Sequence, residues 1–231
     1  MGEERRYGEF VAVRRHGGGG AGDAGDAGGP GHVAELALDR PKAMNAVSTE
    51  MARSIAAACA ALAADRDVRV VVLTSTHERA FCVGADLKER NSFSDADLVR
   101  QRPVARGAYT GVLELPVPTI AAVHGFALGG GFELALSCDL IVADRTAVVG
   151  LPEVSVGVIP GGGGTQLLPR RVGAARAAEL VFSARRLGGG AARGLGAVDE
   201  LVGGGRGREG GAGLAAPHAR ATNAPLSTIN A

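Results

Sequence analysis

Two glutamates in glycine-rich or apolar surroundings are the residues best suited to proton-transfer chemistry. Glu153 lies between Pro152 and an apolar run. A carboxyl group in such surroundings is expected to have a raised pKa, which suits general-acid work near neutral pH. Glu133 follows three consecutive glycines, residues 129–131, in the first turn of a predicted helix.

The glycines before Glu133 indicate a site for negative charge. Glycine lets a backbone approach a ligand closely, and the free N–H groups at a helix start favour an anion. We expect the Glu133 side chain to lie beside this same loop, where it could act on a developing oxyanion. A second segment, FCVGADLKER at 81–90, runs from a strand into a tight turn that can present the Ala85 N–H. On its own this second motif is not specific.

The elements that must hold these residues alternate along the chain. Strands are predicted at 7–13, 32–39, 68–75, 81–86, 119–125 and 140–144, and helices at 48–64, 131–139 and from Thr165. Residues 126–131 are predicted to form a loop. This alternation indicates an α/β fold. Residues 17–31 are predicted to be a flexible glycine-rich insert, and after Leu187 only 191–202 keeps a helix-then-strand pattern.

Bulk properties exclude several classes of protein. The 231 residues carry a net charge of +1, which gives no electrostatic case for nucleic acid or an anionic membrane. Three cysteines without CxxC spacing argue against a disulfide framework or zinc site, and predict buried thiols. With no apolar secretory region and no membrane-length apolar run, we expect a cytoplasmic protein. The GxGxxG at Gly17 precedes no predicted helix, so it does not indicate a dinucleotide fold.

Four segments together resemble the enoyl-CoA hydratase (crotonase) family in order, spacing and residue type. They are LDRPKAMNA, AFCVGADLKER, PTIAAVHGFALGGGFELALSCDLIVAD and LPEVSVGVIPGGGGTQLLPRRVG. The resemblance covers roughly residues 33–202, and GADLKER, IPGGGGTQLLPR and ELVFSAR are most similar to the methylglutaconyl-CoA hydratase branch. It implies a ββα spiral core in a domain at 1–202. A diverged or truncated glycine-rich tail follows at 203–231.

The resemblance implies the roles of individual residues. Glu133 and Glu153 would be the acid–base pair that adds water syn across the double bond of a trans-2-enoyl-CoA. The N–H groups of Ala85 and Gly130 would form the oxyanion hole. The residues implied to contact substrate or coenzyme A are Lys42, Ala43, Met44, Val83, Asp86, Leu87 and Gly129.

The resemblance also implies a homotrimer or hexamer, a role in fatty acid metabolism, and no cofactor beyond the coenzyme A of the substrate. Three alternatives stay open at this point. One is another crotonase-family reaction such as enoyl-CoA isomerisation, against which the retained glutamate pair argues. Another is a catalytically inactive scaffold, suggested by the short tail. The third is RNA binding, for which the helix at 48–66 lacks the necessary lysines.

Overall fold

The part of the chain that this computed structural model describes, residues 4–16 and 32–203, alternates strands and helices as predicted. Its strands are β1 (Glu4–Tyr7), β2 (Val11–His16), β3 (His32–Leu38), β4 (Val68–Ser75), β5 (Ala80–Cys82), β6 (Thr119–Val123), β7 (Phe126–Leu128), β8 (Leu140–Asp144), β9 (Val148–Gly150), β10 (Leu187–Gly188) and β11 (Glu200–Val202). Its α-helices are α1 (Thr49–Ala64), α2 (Leu87–Arg90), α3 (Asp95–Leu113), α4 (Gly130–Leu136), α5 (Gly164–Val172), α6 (Ala174–Ser183) and α7 (Gly189–Leu195). Single 3₁₀ helices cover Pro41–Ala43 and Glu153–Val156.

The strands form two sheets with different roles. The larger sheet has the order β1-β2-β3-β4-β6-β8-β11, antiparallel from β1 to β3 and parallel from there on. The smaller sheet has the order β10-β9-β7-β5, and its strands β5, β7 and β9 are parallel. The carboxyl ends of these three strands therefore lie at one edge, so the segments that follow them are brought together.

Helices α1 and α3 form a layer whose spacing depends on small residues. Ser48 begins α1 by accepting a hydrogen bond from the Met51 N–H, as a capping residue should. Helix α3 approaches α1 through Gly111, where a Cβ would lie 3.3 Å from the Cys59 Cβ. This close approach directs another face of α3, which includes Tyr109, into the core.

Two strand predictions were wrong in detail. The strand predicted at 7–13 is a hairpin of β1 and β2, because Gly8 adopts a positive φ of 61° and turns the chain between them. The loop predicted at 126–131 contains β7, which pairs with both β5 and β9. A strand of three residues is too short to show an alternating apolar pattern in the sequence, and three glycines follow it directly.

Other predictions were confirmed. Helix α7 and strand β11 realise the pattern predicted at 191–202, and β11 extends the large sheet beside β8. All three cysteines are free and buried. No helix in the described ranges is long and apolar enough to cross a membrane. The predicted insert at 17–31 lies outside the described residues, as does the predicted tail from residue 204 onward.

Two glycine-to-alanine substitutions should have opposite effects on stability. A Cβ on Gly131 would lie 2.6 Å from the Cys82 carbonyl carbon and 2.9 Å from the Cys82 Cβ. Gly131→Ala should therefore lower the free energy of unfolding by about 2–3 kcal/mol, because the Cys82 backbone cannot move out of the way of the new methyl group as a flexible side chain could. Gly190, in α7, has open space around its Cβ position, and Gly190→Ala should raise that free energy by about 0.5–1 kcal/mol. Urea unfolding measures both, and equal stability of Gly131→Ala and the unsubstituted protein would contradict this packing.

Candidate active site

The predicted site segments meet at the carboxyl edge of the smaller sheet. Ala85 follows β5, Gly129 and Gly130 follow β7, and Glu153 follows β9. Gly84 has a φ of 95°, and a Cβ there would lie 2.8 Å from the Leu128 carbonyl oxygen and 3.1 Å from the Gly130 nitrogen. A side chain at this position would thus separate the first two segments, and glycine lets them touch.

Two backbone N–H groups at this edge are free to bind a ligand. Val47 donates to the Gly84 carbonyl, and the Asp86 N–H donates to the Val47 carbonyl. In such a parallel bridge the intervening Ala85 N–H faces away from Val47. Gly130 is the first residue of α4, so its N–H has no intrahelical acceptor. Neither N–H has a hydrogen-bond partner among the described residues.

The Glu133 carboxylate accepts hydrogen bonds from a second glycine loop, residues 161–164. Its side chain is buried, with the residue 2% exposed. Its Oε1 accepts hydrogen bonds of 2.8 Å from both the Gly162 and the Gly164 N–H. Glu133 lies in the first turn of α4, and its side chain reaches Gly162 and Gly164 at the start of α5, a contact that the sequence did not predict.

Burial raises the pKa of Glu133, and the backbone N–H groups of residues 162–164 lower it in opposition. These backbone N–H groups therefore stabilise the charged form of the buried Glu133 side chain. Its Oε2 lies near Gly162, where a Cβ would come within 2.9 Å of it. Any larger residue than glycine at 162 would crowd this oxygen.

The surroundings of Glu153 favour its neutral form, as predicted from its apolar neighbours in the sequence. Its Oε2 is buried without a hydrogen-bond partner in the described part of the chain. Its Oε1 lies beside Gly129, 3.2 Å from where a Cβ would stand. Burial raises the pKa of Glu153 to about 7, and the negative charge of Glu133 contributes in the same direction.

The two carboxyl groups thus differ in the protonation state that their surroundings favour. Glu133 receives two short N–H hydrogen bonds, which stabilise a carboxylate. Glu153 receives none at Oε2, so its surroundings stabilise the charged form less. Two carboxyl groups whose surroundings differ in this way can serve as a base and an acid at the same pH.

Six of the seven residues predicted to contact substrate or coenzyme A lie in two adjacent segments, and the seventh, Gly129, follows β7. The Val83 N–H donates to the Met44 carbonyl over 3.3 Å, which joins the loop of Lys42, Ala43 and Met44 to the segment before Ala85. Lys42 and Leu87 are exposed beside this junction, with Leu87 54% exposed. An exposed cation and an apolar side chain together suit a phosphate-bearing ligand with an apolar arm.

The Asp86 side chain is committed to the fold. One carboxylate oxygen caps α2 by accepting from the Lys88 and Glu89 N–H groups. The other accepts from the Arg40 guanidinium over 2.7 Å. The Arg40 interaction and these N–H groups hold the pKa of Asp86 below its usual value, although burial, the largest single effect, acts in the opposite direction. The Asp86 backbone is engaged as well, because its N–H donates to the Val47 carbonyl and its carbonyl accepts from the Arg90 N–H.

Sequence reasoning missed one residue of this site, Tyr109 on α3. A Cβ on Gly162 would lie 2.7 Å from the Tyr109 Cε1, and a Cβ on Gly130 would overlap its hydroxyl oxygen. The phenol therefore lies against two of the glycine segments. No motif marks this position, and the only available signal was that the chain has just two tyrosines.

The comparisons with known proteins agree with this geometry. The sequence matches the model of the enoyl-CoA hydratase/isomerase family over residues 28–205, and the chain belongs to that family. The fold is similar to that of the enoyl-CoA hydratase of Bacillus anthracis, with a TM-score of 0.78 and 37% identity over 81% of this chain and 72% of that one. For DspI of Pseudomonas aeruginosa the TM-score is 0.83 at 29% identity, covering 94% and 77%. The crotonase-like fold is thereby confirmed.

Relatives of known sequence include two mitochondrial proteins. Bovine enoyl-CoA hydratase domain-containing protein 2 is 48% identical over 170 residues, which are 74% of this chain and 57% of that protein. Human methylglutaconyl-CoA hydratase is 42% identical over 170 residues, covering 74% of this chain and 50% of that protein. The chain thus spans about half the length of these relatives.

Proposed function

We propose that this protein is an enoyl-CoA hydratase that adds water syn across a trans-2-enoyl-CoA thioester. The observation that carries the proposal is a pair of glutamates with different hydrogen bonds: Glu133 accepts two from backbone N–H groups, and the Oε2 of Glu153 has none in the described part of the chain. The two free N–H groups of Ala85 and Gly130 lie at the same sheet edge. A reaction that needs a base, an acid and an oxyanion site finds all three here.

In the proposed mechanism the thioester oxygen accepts hydrogen bonds from the Ala85 and Gly130 N–H groups. Glu133 takes one proton from a water molecule while the water oxygen bonds to C3. The electrons of the C2=C3 bond move into the enolate, whose negative oxygen the two N–H groups stabilise. The enolate then re-forms the carbonyl as C2 takes the proton of Glu153. Solvent returns Glu133 and Glu153 to their starting states.

This assignment of base and acid follows from the hydrogen bonds. Glu133 is the carboxylate with N–H support, and the Gly162 and Gly164 hydrogen bonds both reach its Oε1, so its Oε2 can accept a proton from water. Glu153 retains its proton up to about pH 7 and can donate it. The proposed reaction uses no cofactor, since water and the thioester supply every atom. The implied homotrimer or hexamer, the role in fatty acid metabolism and the cytoplasmic location stay predictions.

Product analysis separates this function from its sister reactions. The protein is incubated with crotonyl-CoA, with 3-methylglutaconyl-CoA, and with a 3-enoyl-CoA. We expect 3-hydroxyacyl-CoA from one or both 2-enoyl substrates. Conversion of the 3-enoyl-CoA to its 2-enoyl isomer without hydration would replace the proposal by an isomerase. A folded protein that changes none of the three would point to a scaffold.

A further inference from the structure

The phenol of Tyr109 lies between the Glu133 carboxylate and the backbone N–H groups of Ala85 and Gly130. On one side its ring contacts Gly162, at the position from which a Cβ would also lie 2.9 Å from the Glu133 Oε2. On the other side its hydroxyl reaches Gly130. A Cβ on Gly130 would overlap this hydroxyl and lie 3.6 Å from the Ala85 nitrogen.

These contacts place three donors around one small volume. A Cα–Cβ bond is about 1.5 Å long, so the hydroxyl oxygen lies within about 4 Å of the Gly130 Cα. The Gly130 nitrogen is bonded to that same carbon, and the Ala85 nitrogen flanks it. An acceptor held by the two N–H groups would therefore be close to the phenol as well.

The Tyr109 hydroxyl makes no hydrogen bond with the described residues, and its oxygen keeps some contact with solvent although the residue is only 8% exposed. The hydroxyl of a largely buried tyrosine usually has a hydrogen-bond partner. A group left in this state beside a reaction site fits a donor whose acceptor arrives with the ligand.

We propose that the Tyr109 hydroxyl donates a third hydrogen bond to the thioester oxygen that the Ala85 and Gly130 N–H groups hold. This inference rests on the proposed hydratase function and adds a side-chain donor to its oxyanion site. No proton is transferred in this role: the hydrogen stays on the phenol while negative charge grows on the substrate oxygen. Burial, together with the charge of Glu133, raises the pKa of Tyr109 and keeps it a donor.

The substitution Tyr109→Phe removes the hydroxyl and keeps the ring. We expect kcat with the preferred enoyl-CoA to fall about 100-fold and KM to change little, because an oxyanion donor acts mainly in the transition state. The matched control is Tyr7→Phe, which removes the other tyrosine of the chain, on β1. Unchanged kcat in a folded Tyr109→Phe protein would overturn the proposal.

A second measurement does not depend on turnover or on that variant folding. The Tyr7→Phe protein contains Tyr109 as its single tyrosine, so ¹³C labelling of the phenol Cζ gives one NMR signal. We expect saturated butyryl-CoA, whose thioester oxygen is an acceptor, to shift this signal, and free coenzyme A to leave it in place. If both ligands bind and neither shifts the signal, or if both shift it equally, the proposal is overturned.

The two measurements also separate this inference from the function on which it rests. A protein that turns over no enoyl-CoA but shows the butyryl-specific shift would lack hydratase activity and still use Tyr109 as a thioester donor. A protein that hydrates crotonyl-CoA without any shift or kcat change would be a hydratase with only two oxyanion donors.

Discussion

Replacing Glu133 by glutamine is expected to lower kcat for hydration about 1000-fold and to leave the fold intact. Glutamine keeps an oxygen that can accept the hydrogen bonds of 2.8 Å from Gly162 and Gly164, so the glycine loop stays in place. It cannot take a proton from water, and general-base catalysis typically contributes about 100- to 10,000-fold. The measurement is the loss of the enoyl-thioester absorbance, with circular dichroism to establish folding.

Glu114→Gln is the matched control for Glu133→Gln. Glu114 ends α3 on the exposed surface, so the same chemical change is made away from the site. We expect its kcat to equal that of the unsubstituted protein. Hydration by Glu133→Gln within a few fold of the unsubstituted rate would remove Glu133 from the mechanism.

Replacing Glu153 by glutamine is expected to abolish most activity while stabilising the fold at alkaline pH. Loss of the acid should lower kcat by about 1000-fold, as for the base. Unsubstituted kcat should fall above about pH 7, because burial raises the pKa of Glu153 to about 7 and the proton is lost there. Activity that still rises through about pH 8 would contradict Glu153 as the proton donor.

The sign of the stability effect follows from linkage. Below the ordinary carboxyl pKa of 4.5, Glu153 is protonated in both the folded and the unfolded chain, so it adds no penalty. As the pH rises, the unfolded chain ionises first, and folding is disfavoured increasingly until about pH 7. Above that pH the penalty is constant, at about 1–2 kcal/mol once the partial solvent contact of Glu153 is allowed for.

Glu153→Gln removes this penalty. Urea unfolding should show the variant more stable than the unsubstituted protein at about pH 8 and equal to it at about pH 4. Glu114→Gln should show no such pH-dependent difference. A destabilised Glu153→Gln at about pH 8 would mean that the carboxylate has a stabilising partner in the fold.

The site was predictable as far as motif and local environment determine it. The segments carrying Ala85, Gly130, Glu133 and Glu153 were named from residue type and order. Their meeting at one edge then follows from three parallel strands. The raised pKa of Glu153 followed from its apolar neighbours in the sequence, because burial dominates that shift.

What was not predictable depends on contacts distant in sequence. The partners of Glu133 are Gly162 and Gly164, about thirty positions away, and the helix turn that directs the side chain there has no local signature. Tyr109 reaches the site from α3 through its contacts with Gly130 and Gly162, which are distant from it in the sequence. Strand β7 is held by neighbours on both sides rather than by its own three residues.

The most direct test of the central claim is the rate at which the unsubstituted protein removes the absorbance of crotonyl-CoA, compared with Glu133→Gln and Glu153→Gln. We expect turnover by the unsubstituted protein, with formation of 3-hydroxybutyryl-CoA, and a loss of about 1000-fold in each variant. A folded protein that binds crotonyl-CoA without hydrating it, or hydration that survives in both variants, would contradict the claim that this glutamate pair adds water.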